Sequence, residues 1–183
     1  MTIEADMGRP IDPEGETGMT FREAGKEDAA AYTSLAGRLW PDAGADELES
    51  EFAELADDAD SAVFLALDGQ APVGFAHCQV RSDYVEGAGS SPVGYIEGLY
   101  VLEGYRNKGI ARELLNKCED WARSKGLDEM ASDCEINNQK SIGFHIKAGF
   151  REANRVVCFI KSIEKPTGAE KGEKGPDSAQ IGT

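Results

Sequence analysis

An α/β fold built on one mixed β-sheet is what this 183-residue chain predicts, and three observations lead there. Apolar stretches with strand-like patterning are interleaved with stretches of helical spacing. The elements run in the order β-α-α-β-β-β-α-β-α-β with no internal repeat. The length suits one domain, and a chain 40% hydrophobic and 29% charged has an ordinary globular composition.

Met19–Ala24 reads as a short strand. Lys26-Glu27-Asp28 opens a helical stretch with Tyr32, Leu35, Ala36 and Leu39 at helical spacing, broken by Pro41 and Gly44. A second helix follows over about 45–58, with Leu48, Phe52 and Leu55 on one face. Ala62–Leu67 is an apolar strand, Asp68-Gly69 a hairpin turn and Ala71–Arg81 the return strand. Ser82–Pro92 carries two glycines and a proline and reads as a loop. Val93–Val101 is another apolar strand. A long amphipathic helix begins after Arg106–Gly109 and buries Ile110, Leu114, Leu115, Cys118, Trp121 and Ala122, ending near Gly126. Glu129–Glu135 is a strand, Gln139–Ala148 a helix ending at Gly149, and Arg151–Ile163 a final strand. Residues 1–18 hold Pro10, Pro13 and five acids against one arginine, and 165–183 have only Ile181 to bury. Neither end repays its ordering entropy, so both are expected as disordered tails around a domain at 19–164.

The formal charge is −15, from 34 acids and 19 bases, which argues against a nucleic-acid partner. No apolar run approaches the ~20 residues of a membrane span, and the N-terminus lacks a secretion signal. The expectation is a cytoplasmic protein with no membrane partner. Cys78, Cys118, Cys134 and Cys158 form no C-x-x-C pair, and His77 and His145 lack ligand spacing, so reduced thiols and no metal are expected. Residues 42–60 hold nine acids and no Lys or Arg. That run is either a solvated helix face or a negative entrance that steers a polycation inward.

Gly104-Tyr105-Arg106-Asn107-Lys108-Gly109-Ile110-Ala111 lies between a strand and a long helix. A helix N-terminus presents amides without intrahelical partners, Gly109 permits close approach, and Arg106 and Lys108 add positive charge. The octet is a pyrophosphate cradle or a basic turn; it is neither a Walker A loop nor a G-x-G-x-x-G fingerprint.

The R-x-x-G-x-A of this octet follows the strand Tyr95–Val101 and is followed by Asn138, Ser141, His145 and Gly149-Phe150. That arrangement resembles the GNAT superfamily of acetyl-coenzyme-A-dependent N-acetyltransferases over nearly the whole core, about 19–163. Ser82-Asp83-Tyr84-Val85-Glu86-Gly87, Ser91 to Gly98, Ala131-Ser132-Asp133 and Glu152-Ala153-Asn154-Arg155 resemble more closely the aminoglycoside 6′-N-acetyltransferases. The resemblance implies a GNAT fold, with helices on both faces of the sheet and a splay between the parallel strands Val93–Val101 and Glu129–Glu135.

It further implies acetyl-CoA as cosubstrate, an aminoglycoside as acceptor and an antibiotic-resistance role. Pantetheine would pair with backbone along Leu99, Tyr100 and Val101. Arg106, Asn107, Lys108, Gly109, Ile110 and Ala111 would hold the pyrophosphate, and the Leu99 N–H would stabilise an oxyanion. Trp40, Tyr84, Glu97 and Asp133 would line the acceptor pocket. Glu97 is then a general base or a charge-binding carboxylate, with Asp133 orienting the substrate and sharing that task. His145 stands where many relatives carry a tyrosine acid, and is either that acid or structural. Asn138 caps its helix and is a candidate contact to the coenzyme. Gly98 is consistent with a bulge, and His77 reads as structural. A homodimer is expected from the same likeness. The alternatives are acetylation of another cationic amine, such as a polyamine or a protein N-terminus, and a non-catalytic acetyl-CoA-binding module.

Overall fold

The computed structural model of the chain describes residues 3–4 and 18–163. Its strands are β1 (Ile3–Glu4), β2 (Met19–Glu23), β3 (Ser61–Asp68), β4 (Ala71–Arg81), β5 (Val93–Val101) and β6 (Met130–Ser132). Its helices are α1 (Ala29–Leu39), α2 (Ala45–Leu55), α3 (Ile110–Ser124) and α4 (Gln139–Ala148). β2 to β5 form an antiparallel meander, and β1 and β6 both pair with β5 in parallel.

The two parallel partners use different stretches of one edge. β6 pairs Met130–Ser132 with Gly94–Ile96, whereas β1 pairs Ile3 and Glu4 with Leu99 and Tyr100. The edge of β5 beyond Ile96 has therefore parted from β6. This is the splay expected between those strands, with the N-terminal pair set against its far side.

Helices cover both faces of the sheet. α1 and α2 bury Tyr32, Leu35, Ala36, Leu39, Leu48 and Phe52 against Val63, Leu65, Phe75 and Tyr100. On the other face α3 buries Ile110, Ala111, Leu114, Leu115 and Cys118 against Phe64, Ala66, Ala76, Ile96 and Leu99. Full burial of such aliphatic and aromatic side chains is worth about 1.5–3 kcal/mol each, which fixes which face of each helix points inward. β3 is buried along nearly its whole length, the pattern of an apolar run between two helical layers. Gly126 at φ 75° and Gly149 at φ 98° end α3 and α4 in the left-handed conformation that favours glycine.

Three expectations require correction. The strand at Glu129–Glu135 is only Met130–Ser132, because the chain turns away from β5 at Asp133. Arg151–Ile163 forms no strand: it pairs with no described strand, and Val156, Val157, Phe159, Ile160 and Ile163 are exposed. Ile3–Glu4 lies within the stretch expected as a disordered tail, yet it forms β1 because β5 offers it an open edge. The remainder of that stretch before Gly18, and the tail at 165–183, lie outside the described residues.

Candidate active site

The site begins with an irregularity between β4 and β5. His77 pairs with Gly98 and Cys78 with Ile96, so Glu97 is an extra residue in its strand. A bulge re-aims the side chain it carries. Gly98 is required beside it for a second reason: a Cβ there would stand 2.7 Å from the Trp40 ring. The indole thus packs onto bare backbone next to Glu97.

The re-aimed carboxylate is tightly held. Arg81 donates from Nε to Oε1 at 2.8 Å and from Nη2 to Oε2 at 2.7 Å, and Gln79 donates to Oε1 at 2.5 Å. The Arg81 guanidinium also lies 3.5 Å above the centre of the Tyr95 ring. Tyr95 in turn donates its hydroxyl to Asp133 at 2.5 Å. These residues, with Trp40, Glu51 and His77, line a hollow of about 480 Å³. A wider groove of about 950 Å³ continues from Arg81, Tyr95 and Asp133 past β6 and α4 to residues 149–158.

The hollow is built for charge. Burial raises the pKa of Glu51, and the nearby carboxylates Glu47, Glu54 and Glu97 add to the rise. Burial likewise raises Tyr95, helped by its bond to Asp133, so its phenol stays protonated as a donor. His77 is pushed down to about 4, by burial first and by Arg81 second, and is neutral at physiological pH.

Of the acceptor residues expected from the sequence, Trp40, Glu97 and Asp133 converge on the hollow. Tyr84 does not. It is 82% exposed, donates its hydroxyl to Glu86 at 2.7 Å and borders the wider groove. Of the nine acids at 42–60, Glu51 is the one lining the hollow. His77, Gln79 and Arg81 were not assigned to the site, although their alternate spacing on β4 places all three on one face. Their shared face is the signal; which face it is depends on strand pairing. Neighbouring loops are secured as well: the Glu129 carboxylate accepts from the Gly89 and Ser90 amides, at 2.8 and 2.7 Å.

On the other side of β5, the start of α3 forms a concave loop. Asn107 at φ 63° and Gly109 at φ 81° are left-handed, a geometry that turns successive amides toward one point. The first amides of α3, through Ile110 and Ala111, have no acceptor within the helix. Arg106 folds back, donating from Nε to the Val101 carbonyl at 2.9 Å, and Lys108 sits 4.9 Å from the Tyr105 ring centre. Backbone amides, rather than the two cationic side chains, therefore line the concavity, and they suit a phosphate. Leu99, Tyr100 and Val101 run along β5 beside it.

Asn138 caps α4 by accepting from the Ser141 amide at 3.0 Å. His145 is bonded at both ring nitrogens: Nδ1 lies 2.8 Å from the Ser141 carbonyl and Nε2 3.0 Å from the Ser132 hydroxyl. A carbonyl only accepts, so Nδ1 carries the proton and Nε2 accepts from Ser132. The neutral ring thus has no donor to spare for a leaving group, and burial lowers its pKa further from the charged form. Its geometry ties α4 to β6. Cys78 and Cys118 are buried and Cys158 exposed, all as free thiols, and no cluster of metal ligands occurs among the described residues. No described helix is long and apolar enough to cross a membrane.

Comparison with known proteins agrees with this architecture. An aminoglycoside N(6′)-acetyltransferase type 1 from Stenotrophomonas maltophilia is 44% identical over 147 residues, covering 79% of this chain and 94% of the relative. The structure of AAC(6′)-Iy in complex with the bisubstrate analogue CoA-S-monomethyl-acetylneamine superposes with a TM-score of 0.77 at 34% identity, covering 79% of this chain and 99% of that one. The aminoglycoside 6′-N-acetyltransferase AAC(6′)-Ih from Acinetobacter baumannii gives a TM-score of 0.75 at 35% identity, covering 80% and 100%. The acetyltransferase (GNAT) family model matches residues 29–150, two-thirds of the chain and every residue that lines the hollow, and the chain belongs to that family.

Proposed function

We propose that this chain is an aminoglycoside 6′-N-acetyltransferase, moving acetyl from acetyl-CoA to the 6′-amine of an aminoglycoside and so conferring resistance to the drug. The observation that carries the reading is the convergence of Glu51, Glu97 and Asp133 on one hollow beside the parted edge of β5. An acceptor with several ammonium groups needs carboxylates, and here they come from three separate parts of the chain. The named activity of the relatives supports the same choice over a polyamine, a protein N-terminus or a non-catalytic role.

Acetyl-CoA supplies the activated acyl group. The backbone of Leu99, Tyr100 and Val101 is the row that would hold its pantetheine arm. The amides from Arg106 to Ala111 would hold its pyrophosphate, and Asn138, at the start of α4, is the further candidate contact. On the same reading the N–H of Leu99, one residue past Gly98, would receive developing negative charge on oxygen.

Glu97 accepts three hydrogen bonds from Arg81 and Gln79. A carboxylate has about four lone-pair sites, so one is left for a hydrogen of the incoming amine. Asp133, steadied by Tyr95, orients a second ammonium, and Trp40 offers a face for a sugar ring. Tyr84 borders the wider groove, where it would meet the outer part of the substrate. His145 holds α4 in place.

On this reading the protein acts as a homodimer in the cytoplasm. The exposed run from Val156 to Ile163 supports the dimer, since a second copy would cover it.

Thiol release from acetyl-CoA, followed with neomycin and with paromomycin, tests the activity. Paromomycin carries a hydroxyl where neomycin has its 6′-amine. Turnover of neomycin alone is expected. Equal turnover of both would move the reaction to another amine, and turnover of neither would overturn the assignment.

A further inference from the structure

Arg81 is the one fixed positive charge among the described residues that line the hollow, and it stands where a cationic substrate is expected. Its guanidinium is held from two sides. Nε and Nη2 fork onto the Glu97 carboxylate at 2.8 and 2.7 Å, and the Tyr95 ring lies 3.5 Å away beneath the plane. The side chains of Arg81 and Glu97 are 29% and 21% exposed, so the pair opens onto the hollow and is not sealed behind it. A planar fork clamped in this way does not swing aside without breaking two charge-assisted bonds.

The charge of Arg81 is felt at one end of the hollow only. Glu51 from α2 and Asp133 just after β6 are carboxylates that favour an ammonium group. Glu97, on β5, is neutralised by its partner, and its Oε2 takes one hydrogen bond from Arg81 and has room for another. An amine lodged on that site lies about 4–6 Å from the guanidinium, the range in which a like charge disfavours the charged form. Of the other titratable groups around Arg81, Tyr95 stays protonated and uncharged. His77 on the same strand is kept uncharged by burial first and then by Arg81 itself, so the guanidinium already opposes a second positive charge beside it.

We propose that Arg81 sorts the amines of the substrate: by neutralising Glu97 it lets the acceptor amine sit at the point of transfer without its extra proton, while Glu51 and Asp133 hold other amines as ammonium groups. The proposal rests on the aminoglycoside reading of the site and deepens it. An ammonium has no lone pair with which to attack a thioester, so the form that reacts is the one Arg81 favours, and the proton shed on entry passes to solvent. The arrangement weakens binding of the unreactive form and so favours turnover over affinity.

The test compares Arg81→Met and Arg81→Lys with the unaltered protein by calorimetry with neomycin in the absence of acetyl-CoA, by kcat and KM for neomycin at pH 7, and by kcat as a function of pH. Methionine removes the charge; lysine keeps the charge and loses the fork. The methionine variant is expected to bind neomycin about tenfold more tightly and to turn it over about tenfold more slowly at pH 7. Its kcat should recover as the pH is raised, with the acidic limb of the profile displaced upward by about one pH unit. The lysine variant should keep the limb of the unaltered protein. Should methionine prevent folding, Arg81→Gln, which is uncharged and still donates to Glu97, carries the same expectations. A side chain that merely shaped the pocket would, once removed, weaken binding and turnover together and leave the limb in place; that result overturns the proposal. So does a lysine limb displaced as far as that of methionine. If the unaltered protein binds and acetylates neomycin and the uncharged variant binds it no more tightly, only the role of Arg81 falls. If the unaltered protein neither binds nor acetylates neomycin, the reading of the site falls, and this proposal with it.

Discussion

Arg81 and Glu97 neutralise each other within the hollow, so the negative charge met by an entering cation comes chiefly from Glu51 and Asp133. Glu51 has the more costly position: although exposed on α2, its carboxyl is partly desolvated and stands near other carboxylates, and both raise its pKa. A carboxyl raised in the folded state binds protons there more readily than in the unfolded chain. Its stabilising share is therefore complete at pH values below the ordinary carboxylate range and is lost as pH rises through its folded pKa. Glu51→Gln should accordingly melt higher than the unaltered protein at pH 7 and match it near about pH 4. The same variant should bind neomycin more weakly at pH 7. Thermal melts at both pH values and calorimetry check this; a variant that melts lower at pH 7 contradicts it. That Trp40, Glu97 and Asp133 would share one hollow was legible because Glu97 and Asp133 lie in family-like stretches and Trp40 follows the same family likeness. Arg81 and His77 were not, since neither motif nor spacing tells which face of β4 the hollow will occupy. Tyr84 borders the wider groove and not the hollow, since a tyrosine in a loop carries no signal of where its ring will point.

The bulge in β5 is the device that turns Glu97 toward Arg81, and Gly98 lets Trp40 close on it. Gly98→Ala would set a methyl group 2.7 Å from the indole, and the indole is also packed near Phe75. Overpacking of this kind costs about 1–3 kcal/mol, so a lower denaturation midpoint and a raised KM for neomycin are expected. Chemical denaturation and steady-state kinetics read both; full stability with unchanged KM would show that Trp40 yields freely. The strands β4 and β5 and the helix α4 matched their sequence-derived limits because Gly, Pro and Asn residues punctuate them. The bulge itself was only hinted at by glycine, because register is a property of two strands and not of one. Arg151–Ile163 has the composition of a strand but no strand beside it, and composition does not supply a partner.

The α/β architecture and the helices on both sheet faces were readable from alternating periodicities, whereas the chain's relation to a second copy was not. Val157, Phe159 and Ile160 stand 76%, 92% and 101% exposed, an unusual display for a chain of such high net charge. Light scattering should therefore give the mass of two chains for the unaltered protein. Replacing Val157, Phe159 and Ile160 together with serine should give the mass of one; a single-chain mass before any replacement would remove the homodimer. A different consequence follows from the two residues at the other end. Ile3 and Glu4 sit on the backbone of Leu99 and Tyr100, the same rungs assigned above to the arm of the acyl donor. On that reading two guests share one seat, and acetyl-CoA binding along Leu99 and Tyr100 would have to dislodge the protein's own first strand.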